Sequence, residues 1–108
     1  MRLLPEYFSD LTGFQWDAGN SQKNRLAHDV TGTETEQVFF NRPILLMPDV
    51  QHSQAETRYY ALGRTSAGRC LTVVITVRDS LIRPIMARDM SRQERRLYAE
   101  EENVEEAS

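Results

Sequence analysis

Residues 69–77 read RCLTVVITV, with Leu71, Val73, Ile75 and Val77 at alternate positions. That period marks a strand burying one face. On either side lie the short links RTSAG (64–68) and RDS (78–80), both compact enough to close antiparallel hairpins. Beyond the links come a tyrosine-rich run at 57–63 and an apolar run at 81–87, with another short apolar run at 44–47. The spacing predicts an antiparallel meander of three or four strands.

Upstream of the meander the period changes. Phe14-Gln15-Trp16 alternates and suits a very short strand, and Asp17 is a good N-cap for a helix ending near His28 and Asp29. This helix is polar, with only Leu26 and two alanines to bury, so it leans on the domain or exposes Lys23, Asn24 and Arg25. Thr33 and Glu36 have capping-box spacing ahead of Val38-Phe39-Phe40, which predicts a second short helix stopped by Asn41-Arg42-Pro43. Ser91 and Glu94 form a further box, and Leu97 and Tyr98 give the last helix an apolar patch for the sheet. The fold class is therefore α+β: a small antiparallel sheet with N-terminal helices and a C-terminal helix, the helices covering one face and the other open.

A chain of 108 residues suits one core. Residues 1–13 read as a lead-in, 14–98 as the domain, and 99–108 as an acidic tail expected to fray. No run approaches the roughly 18 apolar residues of a membrane span. The opening MRLLPEYF lacks a signal-peptide pattern, so a cytoplasmic location and no membrane partner are expected. Cys70, inside the apolar run, reads as a buried thiol. No Cys/His cluster has metal-ligand spacing and no glycine-rich phosphate loop occurs, so neither metal nor cofactor is expected.

The net charge of −3 conceals an uneven distribution. Residues 58–98 hold nine arginines against three acids, a local balance of +6, and the tail adds five glutamates. Twelve of the thirteen basic residues are Arg, a bias that suits bidentate contact with phosphate or carboxylate.

The chain carries Phe14-x-Trp16-Asp17, Asn24 and His28-x-Val30; then His52-Ser53, Glu56-x-Arg58, Ala61-Leu62-Gly63-Arg64 and Gly68-Arg69; and finally Ile82-Arg83-x-Ile85-x-Ala87-Arg88, Glu94-Arg95 and Tyr98. Together these motifs resemble the BrnT family of toxins. The chain departs from the pattern at three places. Asp29 stands where many relatives have Gly, Pro84 interrupts the closing strand, and Met86 replaces a serine. Pro84 removes a ladder donor and implies an edge strand or a bulge.

The resemblance implies a RelE-like fold and a metal-independent endoribonuclease that inhibits translation by cutting RNA. It also implies a BrnA-like antitoxin as partner, and it leaves room for a homodimer within the toxin–antitoxin complex. A catalytically lapsed relative that binds an antitoxin, and a plain assembly domain, are the competing readings. Metal-free RNA cleavage needs a base, an acid and positive charge on the phosphate. Arg83 and Arg88 are the candidates for the charge, although a regular strand would send them to opposite faces. A bulge at Pro84 would unite them, and ion pairs with Glu56 or Glu94 are the alternative. His28 and Tyr98 are candidates for proton transfer; His28 fits a cap or core hydrogen bond equally well, and Tyr98 a core anchor. Lys23, Arg58, Arg64, Arg78 and Arg95 are candidate RNA contacts, and His52 reads mainly as a loop residue.

Overall fold

The structure, a computed structural model, describes residues 13–20, 28–49 and 56–107. Its elements are β1 (Gly13–Phe14), α1 (Gly32–Phe40), β2 (Leu45–Pro48), β3 (Tyr59–Arg64), β4 (Cys70–Arg78), β5 (Leu81–Asp89) and α2 (Arg92–Ala107). The quoted strand is β4, and it sits at the centre of a five-stranded sheet ordered β1-β5-β4-β3-β2. Strands β2 to β5 form the expected antiparallel meander. The fifth strand comes from β1, which pairs parallel to β5 through Gly13 with Leu81 and Phe14 with Ile82. The β4–β5 link is a two-residue turn with Asp79 at φ 51° and Ser80 at φ 65°, the left-handed pair that a tight hairpin demands.

Register assigns the two faces. Leu46, Ala61, Val73, Ile75, Ile82 and Ala87 share one face and pack with Val30 and with Val38 of α1. A Cβ on Gly63 would lie 2.6 Å from Val38 Cγ1, so this glycine lets helix and sheet approach closely. The N-cap of α1 is Thr31 and the capping box is Thr31 with Glu34, two residues earlier than the expected Thr33 with Glu36. Glu34 is anchored there by Arg69 at 3.2 Å, while Glu36 accepts a bond from Trp16 Nε1 at 2.7 Å.

The opposite face is covered at one end by α2, which corrects the expectation that helices lie on one side only. Leu45, Leu62 and Thr72 point to this face, and α2 lies on them through Leu97 and Tyr98. Leu97, Tyr98 and Glu101 follow Glu94 at helical spacing, and all four face the sheet or lie at its border. The supposed frayed tail is corrected too. Residues 99–107 continue α2, Glu101 is buried, and Glu102 pairs with Arg64 at 3.6 Å. Cys70 is a free thiol, half-buried rather than fully enclosed.

Residues 18–20 and His28 are helical, and Asp29 follows His28 at φ 53°, the left-handed conformation of a helix C-cap. Residues 1–12, 21–27 and 50–55 lie outside the described residues, and with them Lys23, Asn24, Arg25 and His52.

Candidate active site

Pro84 sits at a bulge in β5, at a point where the outer side of the strand has run past β1, which among the described residues pairs with it at Leu81 and Ile82. The register passes from Val74 opposite Met86 to Ile75 opposite Pro84, which leaves Ile85 as the extra residue. The parity of β5 is reset there. Arg88 lies opposite Thr72 and Arg83 opposite Thr76, so both arginines project from the face that carries α2. Four strand positions separate them, roughly 13 Å at ~3.3 Å per residue, too far for one phosphate.

The bulge is held from outside the sheet by one buried residue. Asn20 donates through Nδ2 to Pro84 O at 2.9 Å and to Gln15 O at 3.1 Å, and its Oδ1 accepts from Asp17 N at 2.7 Å. Asp17 in turn caps Asn20 N at 3.1 Å and takes one bond from Arg83 NH1 at 2.8 Å. Arg78 lies two residues beyond Thr76 on the same face and grips Glu56 with two bonds of 2.6 and 2.7 Å. Arg58, Thr76, Arg78, Arg83 and Ile85 thus line an open cleft of about 250 Å³ beyond the reach of α2.

The charges in the cleft are settled by contact. The Arg83 guanidinium, followed by the Asn20 backbone amide, lowers the Asp17 carboxyl below the usual carboxylate range. Arg78 does the same for Glu56, with smaller help from Arg83 and Arg58. Both carboxylates are substantially exposed, Asp17 at 54%.

Arg88 stands differently. It forms a two-pronged pair with Glu94 at 2.7 and 3.0 Å, and Glu94 also accepts from Thr72 Oγ1 at 2.9 Å and Ser91 N at 2.8 Å. Burial pushes the Glu94 carboxyl up, but Arg88, the Ser91 amide and Thr72 together outweigh it and bring it to about 2. Arg88 is the anchor of α2.

The other sequence candidates disperse. His28 is half-buried at the far end of the sheet, where Arg69 covers the Asp29 and His28 carbonyls at 2.9 and 3.5 Å. Seven residues of strand, roughly 20 Å, separate Arg69 from Thr76. Tyr98 is 1% exposed and donates its hydroxyl to Pro43 O at 2.7 Å, the core-anchor position. Arg64 faces Glu102, and Arg95 is exposed on α2. Of the proposed RNA contacts among the described residues, Arg58 and Arg78 join Arg83, while Lys23 lies outside them. Among the described residues no group of three or more His, Cys, Asp or Glu side chains converges as metal ligands, and no helix is long and apolar enough to cross a membrane.

The family model described as the ribonuclease toxin BrnT of type II toxin–antitoxin systems matches residues 16–94. The chain belongs to the BrnT family. The matched segment runs from Trp16 to the Glu94 anchor and takes in every residue of the cleft. It stops before Arg95 and Tyr98. The family is that of a toxin in a type II toxin–antitoxin system, and membership implies an antitoxin partner. No curated protein matches the chain.

Sequence reasoning missed Asn20 and Thr76. Asn20 is one polar residue in a polar helix, with no periodic signal, and Thr76 reads as an ordinary strand threonine. The bulge was signalled by Pro84 alone.

Proposed function

We propose that this BrnT protein is an endoribonuclease that cuts RNA without a metal ion and so inhibits translation in the cytoplasm, restrained by a BrnA-like antitoxin. The observation that carries the reading is the bulge at Ile85, which turns Arg83 into an open cleft beside Arg78 and Arg58. Three guanidiniums around one concavity favour a phosphate and the extra negative charge of its pentacoordinate transition state. Arg83 supplies that charge, with Arg78 and Arg58 positioning the strand. Glu56, ionised and in the same cleft, is released as the phosphate takes the Arg78 guanidinium from it, and then accepts the 2′-hydroxyl proton. The 2′-oxygen then bonds to phosphorus, the P–O5′ bond breaks, and the 5′-oxygen takes a proton from water. The products are a 2′,3′-cyclic phosphate and a free 5′-hydroxyl. Arg88, Tyr98 and His28 act in the fold.

The test is expression of the gene alone, with growth and RNA integrity followed together and purified protein assayed on RNA with chelator present. Growth arrest with chelator-resistant cleavage, reduced about a hundredfold in Arg83→Ala, is the expected result. Normal growth and intact RNA with the folded protein present would favour a lapsed antitoxin-binding module. That second reading draws on the carboxylates already occupying Arg83 and Arg78.

A further inference from the structure

The sheet face that carries the arginines repeats one arrangement twice. At one end Thr72 lies directly opposite Arg88, at the other Thr76 lies directly opposite Arg83. The first pair shows what such a unit holds. Thr72 Oγ1 and Arg88 NH1 converge on the same carboxylate oxygen, Glu94 Oε1, at 2.9 and 2.7 Å. A hydroxyl and a guanidinium on adjacent strands together grip one oxyanion.

The second pair is half used. Thr76 is 2% exposed, and its Oγ1 shows under 1 Å² of surface and makes no hydrogen bond among the described residues. Buried hydroxyls are nearly always satisfied, and one left unsatisfied is costly. Arg83 meets Asp17 through a single N–H, and Asp17 spends its other oxygen on Asn20 N without reaching Thr76. Thr76 shares the cleft with Arg58, Arg78 and Arg83, whose guanidiniums offer no acceptor, and with Glu56, whose two carboxylate oxygens both accept from Arg78. An unspent hydroxyl donor among cations is complementary to an anion.

We propose that Thr76 and Arg83, flanked by Arg78, form an oxyanion subsite that takes one phosphate of the RNA chain, in the way that Thr72 and Arg88 take Glu94. The phosphate displaces Asp17 from Arg83, and a small outward movement of the arginine side chains opens the hydroxyl to it. The choice of RNA as the source of the phosphate rests on the ribonuclease reading above; the subsite itself rests on the repeated pair.

The experiment is NMR titration of the full chain with inorganic phosphate and, separately, with a 2′-O-methyl RNA oligonucleotide that cannot be cleaved. Wild type, Thr76→Val and Thr76→Ser are compared, with thermal melts of each. The expected result is that wild type binds both probes with shifts at the Arg83 Nε–H. Thr76→Val should weaken both by about tenfold through loss of one charge-assisted bond, and Thr76→Ser should restore them. Because the hydroxyl has no partner among the described residues, Thr76→Val keeps or raises the melting temperature. Unchanged affinity in folded Thr76→Val, or a clear fall in its melting temperature, overturns the proposal. Failure of wild type to bind either probe overturns it also, and binding of free phosphate without the oligonucleotide overturns the RNA assignment. Oligonucleotide binding that depends on Thr76, with no cleavage of unmodified RNA, upholds the subsite and defeats the ribonuclease reading.

Discussion

Arg83 and Arg88 leave the sheet on the same side, yet their partners differ in how firmly they are held. Glu94 is 22% exposed and accepts bonds from Arg88, Thr72 and Ser91, whereas Asp17 is half exposed and gives Arg83 one contact. Partly buried, multiply bonded pairs are expensive to break, while exposed ones contribute little. Arg88→Ala should therefore lower stability by about 2 kcal/mol in urea unfolding. Arg83→Ala should leave the unfolding midpoint nearly in place while cleavage falls. The reverse pattern would exchange their roles. Asn20 joins the helical turn, the segment just after β1 and the bulge through one side chain, so Asn20→Ala should cost about 2 kcal/mol and also lower cleavage by releasing Asp17 and the Pro84 carbonyl beside Arg83. At this scale the sequence showed the residue types but not their company. Alternation along β5 put Arg83 and Arg88 on opposite faces, and only an inserted residue, visible beforehand as nothing more than Pro84, brings them to one.

At the scale of elements, the strands were legible because β-branched alternation and short polar links survive any tertiary detail: β4 and β5 lie within two residues of their expected bounds. The Ser91 box also forms as read, with Glu94 N bonded to Ser91 Oγ at 3.2 Å. Its further use was hidden, since the same Glu94 that closes the box also fastens α2 to the sheet. The course of α2 past Tyr98 was hidden as well, because glutamates that favour helix and face a sheet look like a solvated tail when only charge is counted. Glu94 has its carboxyl depressed from 4.5 to about 2, so its stabilisation is complete above the unfolded value and is lost as pH falls from about 4.5 towards 2. Thermal melts across that range should show the wild type losing stability more steeply than Glu94→Gln, which has no such proton to take up. Equal slopes would mean that other carboxylates carry the acid response. The close approach of α1 to β3 makes a second test: Gly63→Ala meets Val38 Cγ1 at 2.6 Å and Val38 O at 3.2 Å, and should cost about 1–3 kcal/mol by overpacking.

The molecule as a whole separates its charges. Its net charge is −3, but the acids of α2 lie with that helix, where Glu94 and Glu102 meet Arg88 and Arg64, and the cleft with Arg58, Arg78 and Arg83 lies beyond it. One face of the sheet is thus divided between a region whose arginines are paired to α2 and a region whose arginines meet Asp17 and Glu56 around the open cleft. On the ribonuclease reading, the second is the region that takes RNA. This division predicts a shallow salt dependence despite nine arginines in residues 58–98. With about three phosphates neutralised, the logarithm of affinity for a single strand should fall with the logarithm of salt at a slope of about −2. Raising salt from about 50 to about 200 mM would then weaken binding roughly fifteenfold. Fluorescence anisotropy with an uncleavable oligonucleotide measures the slope directly, and Arg78→Ala should reduce it by about 0.7 while Arg64→Ala leaves it unchanged. A slope steeper than about −4, or one sensitive to Arg64, would mean that RNA displaces the acids of α2 and runs the length of the face, and the cleft would then be only one of its contacts.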